Sequence, residues 1–217
     1  MNSKAIEIFE DEILRERIRI KLPHLFSIAE LECSRAGKIG MEVGSTREKV
    51  LIALLIHKFG EMNVETKIPI TETEVDVRLF GHPISIKTVT GTGGVKVIWT
   101  VDAPKALEFL DSYTPSCEIL LAQIKWNLKE TDIQKGVHPG GLFLIPVDVQ
   151  KKVLNLIGKG EYLKLPKVGT NPRGVEISKY GITMLLQDIE TKCIEILWKR
   201  SEFNYNPYKR WVDYWTE

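Results

Sequence analysis

Two acids and a lysine carry the chemistry that this sequence offers. In the stretch ITETEVDVRLFGHPISIKTVT, residues 70–90, Val75, Val77 and Leu79 alternate with Glu74, Asp76 and Arg78. Ile84 and Ile86 alternate with Ser85 and Lys87 in the same way. A period of two is the pattern of a half-buried strand, apolar on one face and polar on the other. Gly81-His82-Pro83 between the runs is turn chemistry. The spacing therefore predicts a β-hairpin that folds Lys87 back beside Asp76. A carboxylate next to an ammonium at the end of a sheet suits a metal-binding acid with a lysine that handles a proton or stabilises charge. Each residue also has a plain structural reading: Asp76 as a solvated strand charge, Lys87 as a stem laid along the sheet with its head in water.

A frame is needed to hold that hairpin. Ser45-Thr46-Arg47-Glu48 opens a helix, KVLIALLIHKF, that is apolar on nearly every side and stops at Gly60. Ser45 with Glu48 three residues later fits a capping box, so Glu48 is read either as a cap or as the second site acid. Upstream, residues 5–19 form an amphipathic helix that Pro23 ends, residues 25–33 form a second short helix, and SRAGKIGMEVGS is an irregular loop. Downstream, residues 64–70 predict a first strand, VKVIWTVD another, and residues 105–113 a helix behind Pro104. Residues 118–126 read as a central strand buried on both faces. Residues 141–147 are a further strand, and Asp148 caps a helix over 149–157. Residues 161–173 are loop or edge strand, residues 178–188 and 189–199 helix or strand, and the aromatic, charged end has no clear period. With no internal repeat, this is one α/β domain with a mixed central β-sheet flanked by helices. It divides into a helical part (1–33), a catalytic core (34–157) and a recognition or dimerisation part (158–217).

Composition narrows the function classes. The 217 residues are 43% hydrophobic and 27% charged, ordinary for a globular protein, and a net charge of +1 excludes a large basic field. Cys33, Cys117 and Cys193 have neither metal spacing nor a disulfide framework, which fits a reducing cytoplasm. The charged N-terminus has no apolar signal core, and no run reaches membrane-spanning length. His24, His57, His82 and His138 lack catalytic or zinc spacing, and the glycines at 91–94 lack the Lys-Ser/Thr of a P-loop.

A helix acid, a strand acid and a lysine on the next strand is the arrangement of the PD-(D/E)xK nuclease core. Over residues 34–147 the sequence resembles that superfamily, and its type II restriction endonucleases most closely. The resemblance rests on Glu48 in GSTREKVL, Asp76 in EVDVRL and Lys87 in SIKT, with GGVKVIWTVD, ILLAQIKW and NPRGVEIS also similar to restriction-enzyme sequence. The loop and hairpin stretches resemble those of ThaI-type enzymes. Two positions depart from the pattern: Val75 stands where proline is usual, and Ser85 where the first acid of (D/E)xK belongs. The second departure matters, because a hard divalent cation needs oxygen ligands. The resemblance implies that a helix supplies the missing carboxylate, which makes Glu48 the candidate, with Glu74 and then Asp102 behind it.

The resemblance further implies magnesium-dependent cleavage of both strands of double-stranded DNA at a short palindromic site. It also implies a homodimer and a cognate methyltransferase in the same system. Asp76 and Glu48 would hold the magnesium, and Lys87 would orient the attacking water or stabilise phosphate charge. Ser85 would stand at the acid position, and Gln123 would touch that water or Lys87 unless it is a hydrogen-bonded core glutamine. Arg35, Lys38 and Ser45 are placed to meet phosphates. Met41 is a wedge between bases or a local packing residue, and Arg173 is a guanine reader or a solvated loop arginine. Two other readings stand beside this one: a structure-specific repair nuclease or junction resolvase, and a non-catalytic DNA-binding protein on a degenerate nuclease core, which Ser85 favours.

Overall fold

The computed structural model describes residues 3–35, 38–40, 42–69, 71–98, 102–126, 128–165, 174–200, 205–206 and 208–216. A 3-10 turn at Lys4–Ile6 leads into helices α1 (Glu7–Glu10) and α2 (Glu12–Glu32). A small hairpin, β1 (Ser34–Arg35) and β2 (Lys38–Ile39), precedes α3 (Val43–Phe59). Strands β3 (Val64–Glu65), β4 (Val77–Leu79), β5 (His82–Thr90) and β6 (Val95–Ile98) come next, then α4 (Ala103–Ser112) and β7 (Glu118–Ile124). The chain continues through α5 (Glu130–Gln134), β8 (Gly141–Ile145), α6 (Val147–Ile157), α7 (Lys159–Tyr162) and β9 (Leu163–Lys164). It ends with β10 (Val175–Ile177), α8 (Lys179–Gln187), β11 (Lys192–Glu195) and α9 (Lys209–Thr216).

The expected α/β architecture is present. A six-stranded sheet has the order β11-β8-β7-β5-β4-β3. Only β5 and β7 run parallel within it; the other neighbours are antiparallel, so the sheet is mixed. Alternation along β5 and β7 sends side chains to two cores. Ile84, Ile86, Leu120 and Ala122 join Leu51 and Leu55 of α3 and Leu22 and Phe26 of α2 on one face. Val89, Ile119 and Leu121 join Val149 of α6, Leu185 of α8 and Val95, Val97 and Ile177 on the other. The strands β6, β10 and β9 form a second, three-stranded sheet on that second face. Val77, Ile84 and Ile86 are fully buried, and each such side chain stabilises the fold by about 1.5–3 kcal/mol. This burial pins the hairpin register, because a one-residue slip would turn every apolar side chain outward.

Several local expectations are corrected. Pro23 does not end a helix: α2 runs through it, and the expected second helix is the rest of α2. Burial of Leu22, Pro23 and Phe26 against the core outweighs the lost backbone N–H. The capping box at Ser45 does not form, because α3 starts at Val43 and Ser45 is already inside it. The first strand stops at Glu65, and Ile70 lies outside the described residues. The hairpin turns on Phe80 and Gly81, at φ of 50° and 81°, so that His82 already pairs with Leu79. Two positive φ values are what a tight two-residue hairpin turn needs. Asp148 lies in the first turn of α6 rather than capping it; the cap position is Pro146. The aromatic C-terminal stretch contains a helix, α9.

Candidate active site

The pairing of Val77 with Ile84 sets Asp76 beside Ser85, and the Asp76 N–H donates to the Ile84 carbonyl at 3.0 Å. Three donors converge on Oδ2 of Asp76: the Ile86 N–H at 2.6 Å, the Lys87 ammonium at 2.9 Å and the Ser85 hydroxyl at 3.2 Å. Oδ1 accepts no hydrogen bond from a described residue. The Asp76 side chain is 33% exposed and that of Lys87 16%. The pair is therefore sheltered enough for a strong interaction, with one carboxylate oxygen left open to a ligand. The backbone N–H of Ile86 leaves no trace in a pattern of side chains.

Glu48 lies within electrostatic reach of Asp76 and Lys87. Burial raises its carboxyl above the usual carboxylate range; Lys87 pulls it back and Asp76 pushes it further up. The helix begins five residues before Glu48, so this acid lies beyond the first turn and serves no cap. No hydrogen bond from a described residue holds it.

Glu74 is engaged elsewhere. The Ser116 hydroxyl donates to its carboxylate at 2.7 Å, and the Tyr113 hydroxyl is a second partner. Burial raises the Glu74 carboxyl, against those two bonds and the pull of Lys87. The neighbouring Cys117 thiol is pushed up to about 12 by burial and by Glu74. Asp102 caps α4 by accepting from the Lys105 N–H at 3.4 Å. Ser85 is 3% exposed and gives its hydroxyl to Asp76, so it steadies that acid. Gln123 is buried on the same sheet face, opposite Val89, and forms no hydrogen bond with Asp76 or Lys87. Sequence reasoning missed Lys96, which shares a small cavity with Glu74, Ser85 and Lys87. Its place in an alternating run was the available signal.

Of the candidates for DNA contact, Ser45 is exposed in the first turn of α3. Arg35 and Lys38 are paired opposite each other in the β1–β2 hairpin that precedes it. Met41 and Arg173 lie outside the described residues.

Two carboxylates, with one Asp76 oxygen unengaged, fit a small hard cation. Magnesium typically takes one or two protein carboxylates and completes its shell with water and substrate phosphate. Among the described residues no three or more His, Cys, Asp or Glu side chains gather at one point, so a closed all-protein cage is not what these residues build.

Comparison with known proteins agrees with this architecture. No curated sequence matches the chain. A solved structure described as "Restriction endonuclease in complex with substrate DNA" is 49% identical, covers 99% of both chains and superposes with a TM-score of 0.85. The family described as "Restriction endonuclease ThaI" matches residues 8–217. The chain belongs to the ThaI restriction endonuclease family and is a type II site-specific deoxyribonuclease.

Proposed function

We propose that this enzyme hydrolyses one phosphodiester in each strand of double-stranded DNA at a short palindromic site, as a magnesium-dependent homodimer. The observation that carries the reading is the Asp76 carboxylate: Oδ2 is fixed by Lys87, Ser85 and the Ile86 N–H, while Oδ1 takes no hydrogen bond from a described residue. Asp76 and Glu48 would hold the magnesium, which when bound would supply polarisation of the scissile phosphate and a more acidic water. Lys87, anchored on Asp76, presents its remaining protons to the attacking water or to a phosphate oxygen, where charge grows in the transition state. Ser85 helps to hold the Asp76 carboxylate through Oδ2, which leaves Oδ1 for the ion.

Each chain carries one such group, and two antiparallel strands need two. A two-fold dimer that reads a palindrome meets that requirement with identical subunits. The exposed start of α3 offers Ser45 to the backbone phosphates, since a helix N-terminus favours anions, and we assign Arg35 and Lys38, in the hairpin that leads into it, to the same backbone. A cytoplasmic methyltransferase that modifies the same site completes the system and protects the host DNA.

The test is digestion of one plasmid of known sequence with magnesium. Discrete fragments whose ends share one palindrome are expected. Cleavage only at branched or damaged substrates would instead assign a structure-specific nuclease, and no cleavage with retained DNA binding a degenerate core.

A further inference from the structure

Glu30 lies on α2 and is only 6% exposed. Its carboxylate accepts from the Arg47 guanidinium, from the Trp126 indole N–H at 2.6 Å, and from Arg200 Nε and Nη2 at 3.1 and 2.9 Å. Arg47 is 5% exposed, and its other terminal nitrogen donates to the Thr90 hydroxyl at 3.1 Å. Arg47 also stacks over Phe26, and Arg200 over Trp126. This cluster joins the elements that deliver the site. Arg47 precedes Glu48 on α3, Thr90 ends the strand that carries Ser85 and Lys87, and Trp126 follows the strand that carries Gln123.

Stability does not account for the arrangement. A buried ion pair gives back in desolvation much of what it gains, and apolar residues of similar size are often as stable. Nε of Arg47 is moreover buried without a partner, a further cost. What directed bonds supply and apolar contact does not is a fixed rotation of α3. A glutamate tip sits about 6 Å from its helix axis, so a turn of about 10° moves it by about 1 Å. A misplacement of that size costs on the order of 100-fold in rate. Glu48 needs such help, because no hydrogen bond from a described residue holds its own carboxyl.

We propose that Glu30, by clasping Arg47, is a positioning residue that holds Glu48 towards the metal in the active centre. The inference rests on the reading of Glu48 as a metal ligand, and the experiment separates the two. Manganese affinity of the enzyme–DNA complex is measured by electron paramagnetic resonance for the wild type, Glu30→Gln, Glu48→Gln and the double variant. Arg47→Lys is carried in parallel, because it keeps the charge but cannot span Glu30 and Thr90 together. The expected result is a 10- to 100-fold weaker manganese affinity for Glu48→Gln, a clear loss for Glu30→Gln and Arg47→Lys, and no further loss when Glu30→Gln is added to Glu48→Gln. An equal loss on both backgrounds, or no loss for Glu30→Gln and Arg47→Lys, would overturn the positioning role and leave Glu48 as ligand. Unchanged affinity in Glu48→Gln would remove the ligand reading itself, and the inference with it.

Discussion

Ser85 occupies the place of an expected acid and gives its hydroxyl to Asp76, with Oγ 3.2 Å from Oδ2. The substitution therefore exchanges a possible ligand for a donor that steadies the ligand beside it. The geometry needs the small polar group there: Ser85 is buried and level with Asp76 across the hairpin. A second carboxylate at that point would press against the first.

Ser85→Ala is expected to slow cleavage about tenfold, because one hydrogen bond to a charged group contributes about 1.5–3 kcal/mol and two other donors remain on Oδ2. Single-turnover cleavage measures it. A rate below a thousandth of wild type would make Ser85 a direct participant rather than a support.

Glu48 and Glu74 are both partly buried acids whose carboxyls feel the charge of Lys87, and their variants separate them. Glu48→Gln should lower the cleavage rate at least 100-fold and raise the magnesium concentration needed for half-maximal rate. Glu74→Gln should leave both within about threefold, because Ser116 and Tyr113 already engage that side chain. The reverse ranking would move the second ligand to Glu74.

Glu74 also predicts a pH dependence of stability. Its folded carboxyl is raised above the ordinary range by burial. Above the folded value the protein therefore carries a partly buried charge that the unfolded chain solvates freely, and the penalty disappears below the unfolded value. Glu74→Gln should thus melt at a higher temperature than wild type at neutral pH. The gain should shrink as pH falls through the carboxylate range. Calorimetry at several pH values checks it; a variant destabilised at neutral pH would mean that the Ser116 and Tyr113 bonds outweigh burial.

The hairpin was legible in the sequence because its pattern is local: alternation placed Asp76 beside Lys87 on the two arms without knowledge of any other element, although the first arm is shorter than expected and Asp76 lies one residue before β4. The central strands β7 and β8 were legible for the same reason, as short apolar runs. Errors arose where tertiary packing decides. Pro23 reads as a stop, but core burial carries α2 through it, and Ser45 reads as a cap although α3 has already begun at Val43. The Glu30 cluster had no legible signal. Its partners Trp126 and Arg200 lie 96 and 170 positions away, and only the folded chain brings them together.

Lys87→Ala should abolish cleavage and spare specific DNA binding. Phosphodiester hydrolysis develops negative charge on the phosphate and needs a deprotonated water, and an ammonium fixed 2.9 Å from Asp76 can serve either need in the transition state. Removal of such a group lowers the chemical rate without lowering ground-state affinity. Groups of this kind are worth about 100- to 1000-fold each in rate. The loss of a cation from a cluster that also holds Asp76 and Glu48 should in addition change the metal dependence, since repulsion between the two acids is then relieved only by the metal. The measurement pairs a gel shift in calcium with a cleavage time course in magnesium. Cleavage near the wild-type rate would move the active centre away from this hairpin, and joint loss of binding and folding would make Lys87 a structural partner of Asp76.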